Sequence, residues 1–185
     1  MSYVLAIDPG KDGALAMLSD SDLHVYRMPV TRTVIGRSRR FVVDPLGVWA
    51  LMQTLTHADI VIIEGVGGRP KQGAASAFVF GFGTALFYMA SVALNLKIET
   101  VQPAVWKRWM KLPGKNDKTA KAMTLKRAEE RFPEARSQFY TDRGRALDGC
   151  ADAALMAAWG REQVLKEGRF IGNVAARLTT ATRIW

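Results

Sequence analysis

The run Ile60-Val61-Ile62-Ile63 carries a β-branched side chain at every position and leaves this chain little freedom. Such a run reads as a strand buried within a sheet, and it ends on Glu64-Gly65. Residues 3–7 (YVLAI) predict another short buried strand, stopped by Asp8-Pro9-Gly10. ALAML (14–18) and LHVYRM (23–28) follow, joined by the polar turn Ser19-Asp20-Ser21-Asp22. They form a β-hairpin, or a three-stranded meander with the first strand. KIETV (97–101) is the fifth strand. Helices fall between and after these runs. Asp44-Pro45, a capping acid before a proline at the first helical position, launches LGVWALMQTL. Pro103 starts AVWKRWM, the linker LPGKND leads to KTAKAMTLKRAEERF, and LDGCADAALMAAWG (147–160) is the last strong helix. Residues 29–43 (PVTRTVIGRSRRFVV) read as an irregular basic segment, and 161–185 as a basic tail. A hairpin followed by alternating helix and strand predicts one α/β domain over 1–160, a mixed five-stranded sheet with helices on both faces.

Charge narrows the partners. Twenty-six Lys and Arg against 17 Asp and Glu leave a net charge of +9, which points to a polyanion such as nucleic acid. The lone Cys150 excludes an internal disulfide, fits a reducing, cytoplasmic setting, and reads as a small buried residue. The opening residues MSYVLAIDPG meet an acid and a turn too early for a signal peptide. Residues 73–96 carry no charge and are long enough to span a bilayer. Their many Ala, Gly and Ser positions, between two strands, instead suit a central helix covered by the sheet on one side and by a partner subunit on the other.

Four acids stand where apolar packing does not explain them. Asp8 and Glu64 each end a strand, and Asp148 and Asp152 lie one helical turn apart on an otherwise apolar helix. In an open α/β sheet the strand ends converge on one crevice, and a helix over that edge can bring two more acids to it. Bare anions cannot share such a pocket without large pKa shifts. Hydrated Mg²⁺ or Mn²⁺ resolves the conflict, because these ions take oxygen ligands and commonly bridge carboxylates to a phosphate. A pair of them can activate water against a phosphodiester. His24 and His57 are far apart in sequence and offer no competing site. Blander readings exist for single residues: Asp8 as a turn residue before Pro-Gly, Asp148 as an N-cap.

These residues carry a resemblance. AIDPGKDGALA, VIIEG before a small-residue helix, a lysine-bearing stretch after the fifth strand, and DGCADAALMAA together resemble the RuvC-like Holliday junction resolvases, the phage and bacterial branch of the ribonuclease H-like superfamily. The likeness runs over residues 3–160. It implies a ribonuclease H-like fold, metal ligation and catalysis by Asp8, Glu64, Asp148 and Asp152, two Mg²⁺ or Mn²⁺ ions per site, a homodimer, and paired nicks in four-way junctions that leave 5′-phosphates. Two departures stand out. The last two acids are four positions apart where the bacterial enzymes usually have three. The loop Gly65-Val66-Gly67-Gly68-Arg69-Pro70-Lys71 lacks the aromatic wedge of those enzymes, although Arg69 and Lys71 remain able to grip phosphates.

Eight Lys or Arg residues fall between Lys107 and Arg127, with one acid among them. Lys107, Arg108, Lys111, Lys115 and Lys118 are candidate phosphate contacts, whereas Lys121, Lys126 and Arg127 also suit a solvated helix face. By the resemblance, Lys107 and Lys118 are the active-site lysines, with Lys115 as an alternate. Trp106 and Trp109 read as core at helical spacing rather than as base-stacking platforms. The rivals are a ribonuclease H-type hybrid nuclease, whose glutamate would sit on a helix, an actin-like ATPase, for which 185 residues leave too little room, and a non-catalytic junction-binding protein.

Overall fold

The computed structural model describes residues 2–35, 38–65, 73–114 and 117–166. Five strands form the main sheet: β1 (Val4–Asp8), β2 (Ala14–Leu18), β3 (Leu23–Arg27), β6 (Ile60–Glu64) and β7 (Ile98–Val101), in the order β3-β2-β1-β6-β7. β1, β2 and β3 make an antiparallel meander, while β6 joins β1 and β7 joins β6 in parallel, so the sheet is mixed as the alternation of elements implies. Residues 29–43 depart from expectation. They form a two-stranded antiparallel hairpin, β4 (Val30–Ile35) and β5 (Ser38–Val43), that pairs only with itself among the described residues. Its β-branched and aromatic positions, Val30, Thr31, Thr33, Val34, Phe41, Val42 and Val43, carry strand propensity that the density of arginines masks in the sequence.

Helices cover both faces. α1 (Pro45–Thr54) starts as Asp44 accepts from the amide of Leu46, with Pro45 in the first turn. α1 and α2 (Ala74–Ala93) cover one face, against Leu5, Ile7, Val61 and Ile63. α3 (Pro103–Trp109), α4 (Lys118–Arg131) and α5 (Asp148–Trp159) cover the other, against Val4, Ala6, Ile60 and Ile62. A 3₁₀ segment (Pro133–Phe139) links α4 to α5, and a π-helical turn (Gly160–Lys166) continues α5. Val164 in that turn is core, so the packed unit extends into residues first read as tail. Among the described residues no helix is long and apolar enough to cross a membrane.

Apart from Asp148 and Asp152, every residue of α5 is buried. Small residues permit this depth. The sheet offers Ala6, Ala14 and Ala16 beneath the helix. A Cβ on Gly149 would lie 2.3 Å from the carbonyl oxygen of Asp12 and 2.6 Å from Cα of Gly13. The start of α5 is therefore seated on the turn after β1. Burial of Leu155 and Met156 contributes about 1.5–3 kcal/mol each and offsets the desolvation of Asp152 on the same helix.

Candidate active site

Strand alternation aims the first two acids. Val4 and Ala6 of β1, and Ile60 and Ile62 of β6, face α5. The next residues in that period of two are Asp8 and Glu64. Parallel pairing of Ile7 with Ile63 sets the two acids side by side at the carboxyl end of the sheet. α5 then lays Asp152 over the same edge. Asp8 is pushed up to about 8, first by burial and then by the charges of Glu64 and Asp152. Asp152 is raised to about 6, again first by burial, with Lys107 opposing and Glu64 and Asp148 adding. Three elements remote in sequence thus bring Asp8, Glu64 and Asp152 within electrostatic reach of one another.

Each acid has a specific neighbour. The amide of Gly10 donates to Asp8 Oδ1 at 3.3 Å. The buried indole of Trp106 donates from Nε1 to Glu64 Oε1 at 3.0 Å. Trp106 is core, as its spacing predicts, but it also fixes the orientation of Glu64. Lys107, the next residue on α3, places Nζ 3.8 Å from Asp152 Oδ2 and 5.0 Å from the Trp106 ring centroid. Asp148 opens α5, and the N-cap position belongs to Leu147, so the capping reading does not hold. Its carboxylate instead accepts from Lys121 Nζ at 2.7 Å. That bond raises the Lys121 ammonium above its usual range.

A cleft of about 1050 Å³ opens at this edge, and Glu64, buried behind it, is not among the lining residues. Asp8, Asp148 and Asp152 line it, and so do Lys11, Arg27, Arg40, Lys107, Lys121 and Arg145. Six cations and four acids, Asp12 being the fourth, line it, so the lining is positive on balance. Of the lysines expected at the site, Lys107 lines this cleft. Lys118 is exposed at the start of α4 and is not among the lining residues, and Lys121, one turn further along, occupies that place. Arg108 and Lys111 are exposed and also lie outside the lining, with Lys111 in a shallow recess beside Trp109 and Arg127. Arg69, Lys71 and Lys115 fall outside the described residues. Cys150 is buried, as expected.

The donor set suits a hard divalent cation: oxygen atoms only, on carboxylates near enough to push up the pKa of Asp8 and Asp152. Among the described residues, no three His, Cys, Asp or Glu side chains close together tightly enough to ligate one ion. The carboxylates are repelling neighbours, with Lys107 and Lys121 as their counter-charges. Sequence reasoning named Lys121 in the basic stretch but missed its pairing with Asp148, along with Trp106 in its orienting role and the β4–β5 wall of the cleft. The spacing of Trp106 one residue before Lys107 hinted at a position under the sheet edge, but its hydrogen bond depends on the register of β6 against β7.

No family model matches the chain, and no curated protein does. Solved structures do. A Thermus thermophilus RuvC in complex with a Holliday junction substrate superposes with a TM-score of 0.56, at 12% identity, over 88% of this chain and 96% of that one. A second Thermus thermophilus RuvC structure gives a TM-score of 0.50 at 16% identity, over 87% of this chain and 96% of that one. With the mixed five-stranded sheet covered on both faces and the acids at the ends of its parallel strands, the chain has the ribonuclease H-like fold of RuvC.

Proposed function

We propose that this chain is a divalent-metal-dependent endonuclease that nicks branched DNA, four-way junctions above all, and leaves 5′-phosphate ends. The observation that carries the reading is the meeting of Asp8, Glu64 and Asp152 at one sheet edge, with Asp8 and Asp152 lining a cleft they share with six cationic side chains. The RuvC structure with a Holliday junction substrate supports this class of DNA. Asp8, Glu64 and Asp152 would hold Mg²⁺ or Mn²⁺, and Asp148 would join them on exchanging Lys121 for the ions. Such ions, two to a site, acidify a water and stabilise charge on the phosphodiester. The remaining chemistry belongs to the chain. Trp106 keeps Glu64 turned to the edge. Lys107 balances Asp152 and is placed to hold a phosphate oxygen. Lys11, Arg27 and Arg145 bind the backbone around the cleft. Arg108, Lys111 and Lys118 serve flanking duplex, together with Arg69, Lys71 and Lys115.

A homodimer completes the reading. Phe78, Phe82, Met89 and Val92 are exposed along α2. With Ala85 they recur at alternating steps of four and three, the spacing of a helix-pairing seam. Pairing through it would give two equivalent sites for opposing strands.

The test is cleavage of synthetic four-way, three-way and linear DNA, and of an RNA–DNA hybrid, in Mg²⁺, Mn²⁺ or EDTA. The four-way junction should be nicked with either metal and not in EDTA. Glu64→Gln should retain binding and lose cleavage by at least about 100-fold. Equal cutting of linear duplex would remove junction selectivity, and cutting of the hybrid alone would favour a ribonuclease H-type enzyme. Tight junction binding with no cleavage under any condition would leave a binding protein.

A further inference from the structure

The β4–β5 hairpin enters the reading above only through Arg40, yet it forms one wall of the same cleft through Val30, Arg40, Phe41 and Val42. Residues 30–43 hold four arginines and no acid. Among the described residues, Arg32, Arg39 and Arg40 make no ion pair. Cationic guanidinium groups left unneutralised beside a polyanion cleft are placed for phosphates.

Phe41 adds a different chemistry. It is 50% exposed, although a phenylalanine on a strand gains most by burial. Its cross-strand partner is Arg32, whose guanidinium lies 5.2 Å from the ring centroid. One side of the ring is thereby backed by a planar cation. Val43, two residues along on the same strand face, is buried and meets α2 at Gly83, so the hairpin is anchored at its base. Two-stranded ribbons are marginally stable on their own, and this one projects its aromatic residue at the cleft from an anchored base.

We propose that the β4–β5 hairpin grips DNA over the cleft, Phe41 stacking on an unpaired base at the branch point while Arg39 and Arg40 hold the adjoining phosphates. Duplex DNA hides its base faces, so this contact selects DNA in which a base is free to unstack. The proposal rests on the cleft being the DNA site, and it names what makes that site prefer a branch.

The experiment uses four-way junctions and matched linear duplex, each with 2-aminopurine placed at or near the branch, titrated with the full chain in EDTA so that binding is read apart from cleavage. Parent protein should change the 2-aminopurine fluorescence at the branch. Phe41→Ala should abolish that signal and weaken junction binding about 10-fold, with less than about 2-fold change on duplex. Phe41→Trp should restore both, and Phe41→Leu should restore neither, which separates stacking from apolar area. Arg40→Ala should weaken both DNAs alike and lower the salt dependence. Unaltered junction affinity and fluorescence with Phe41→Ala would overturn the proposal. So would a Phe41→Ala protein whose only change is loss of self-association in sedimentation, since that assigns the patch to a second copy. If the parent binds and signals but never cuts in Mg²⁺ or Mn²⁺, the nuclease reading fails and the hairpin assignment survives.

Discussion

Replacing Asp8 with Asn should stabilise the metal-free protein at neutral and mildly alkaline pH. Unfolded, this carboxyl titrates near its ordinary value of 3.8; folded, burial and the charges of Glu64 and Asp152 raise it to about 8. The native state therefore binds the extra proton across that window. The parent's stability is complete below pH 4 and drains away as the pH climbs through 8, where the buried anion must form. At about 1.4 kcal/mol per pH unit the ceiling is about 6 kcal/mol. Asp152, pushed up to about 6, shares the same proton equilibrium, so about 2–3 kcal/mol should appear at pH 8. In a domain of this size that is roughly 5–10 °C in Tm. Asparagine cannot ionise, is close in shape, and can still accept from Gly10. Thermal melts of parent and Asp8→Asn in EDTA, from pH 4 to 9, should coincide at the acid end and diverge steadily above pH 5, the variant melting higher. Millimolar Mg²⁺ should then raise the parent more than the variant. Parallel curves across the whole range, or a variant that melts lower at pH 8 in EDTA, would refute the claim that these carboxylates strain one another.

Three further outcomes follow from the geometry. Trp106→Phe removes the one hydrogen bond from the indole to Glu64. Unfolding in urea should show a loss of about 2 kcal/mol, as for a hydrogen bond to a charged group, and single-turnover cleavage should slow about 10-fold. Gly149→Ala drives a methyl group into the backbone of Asp12 and Gly13. Because backbone cannot yield as a side chain tip does, α5 must lift, with about 1–3 kcal/mol lost in denaturant melts and cleavage falling with it. Phe82→Glu places a charge on the exposed seam of α2, where Phe82 is 42% exposed. Sedimentation should report a monomer while circular dichroism stays unchanged, and a persisting dimer would move the interface elsewhere.

Much of the architecture was legible because it depends on local rules. The β-branched run at 60–63, the Asp44-Pro45 helix start and the helical spacing of Asp148 and Asp152 each report a preference that a few neighbouring residues impose on the backbone. Acids at strand ends and on an apolar helix face were conspicuous for the same reason, since they contradict the pattern around them. The hairpin at 30–43 was not legible, because charge density drew the reading away from β-branched alternation and its pairing is with itself rather than with the sheet.

The amino-acid order by itself determined the five strands of the main sheet, the principal helices, and that Asp8, Glu64 and Asp152 each sit at odds with apolar surroundings. Only tertiary packing decided which charges meet. Parallel register between β1 and β6 puts Asp8 beside Glu64, the seating of α5 on Gly13 brings Asp152 to them, and the packing of α4 on α5 pairs Lys121 with Asp148. Periodicity fixes the face a side chain takes on its own element. The distance between side chains on different elements follows from how closely those elements approach, and small residues far apart in the chain set that approach.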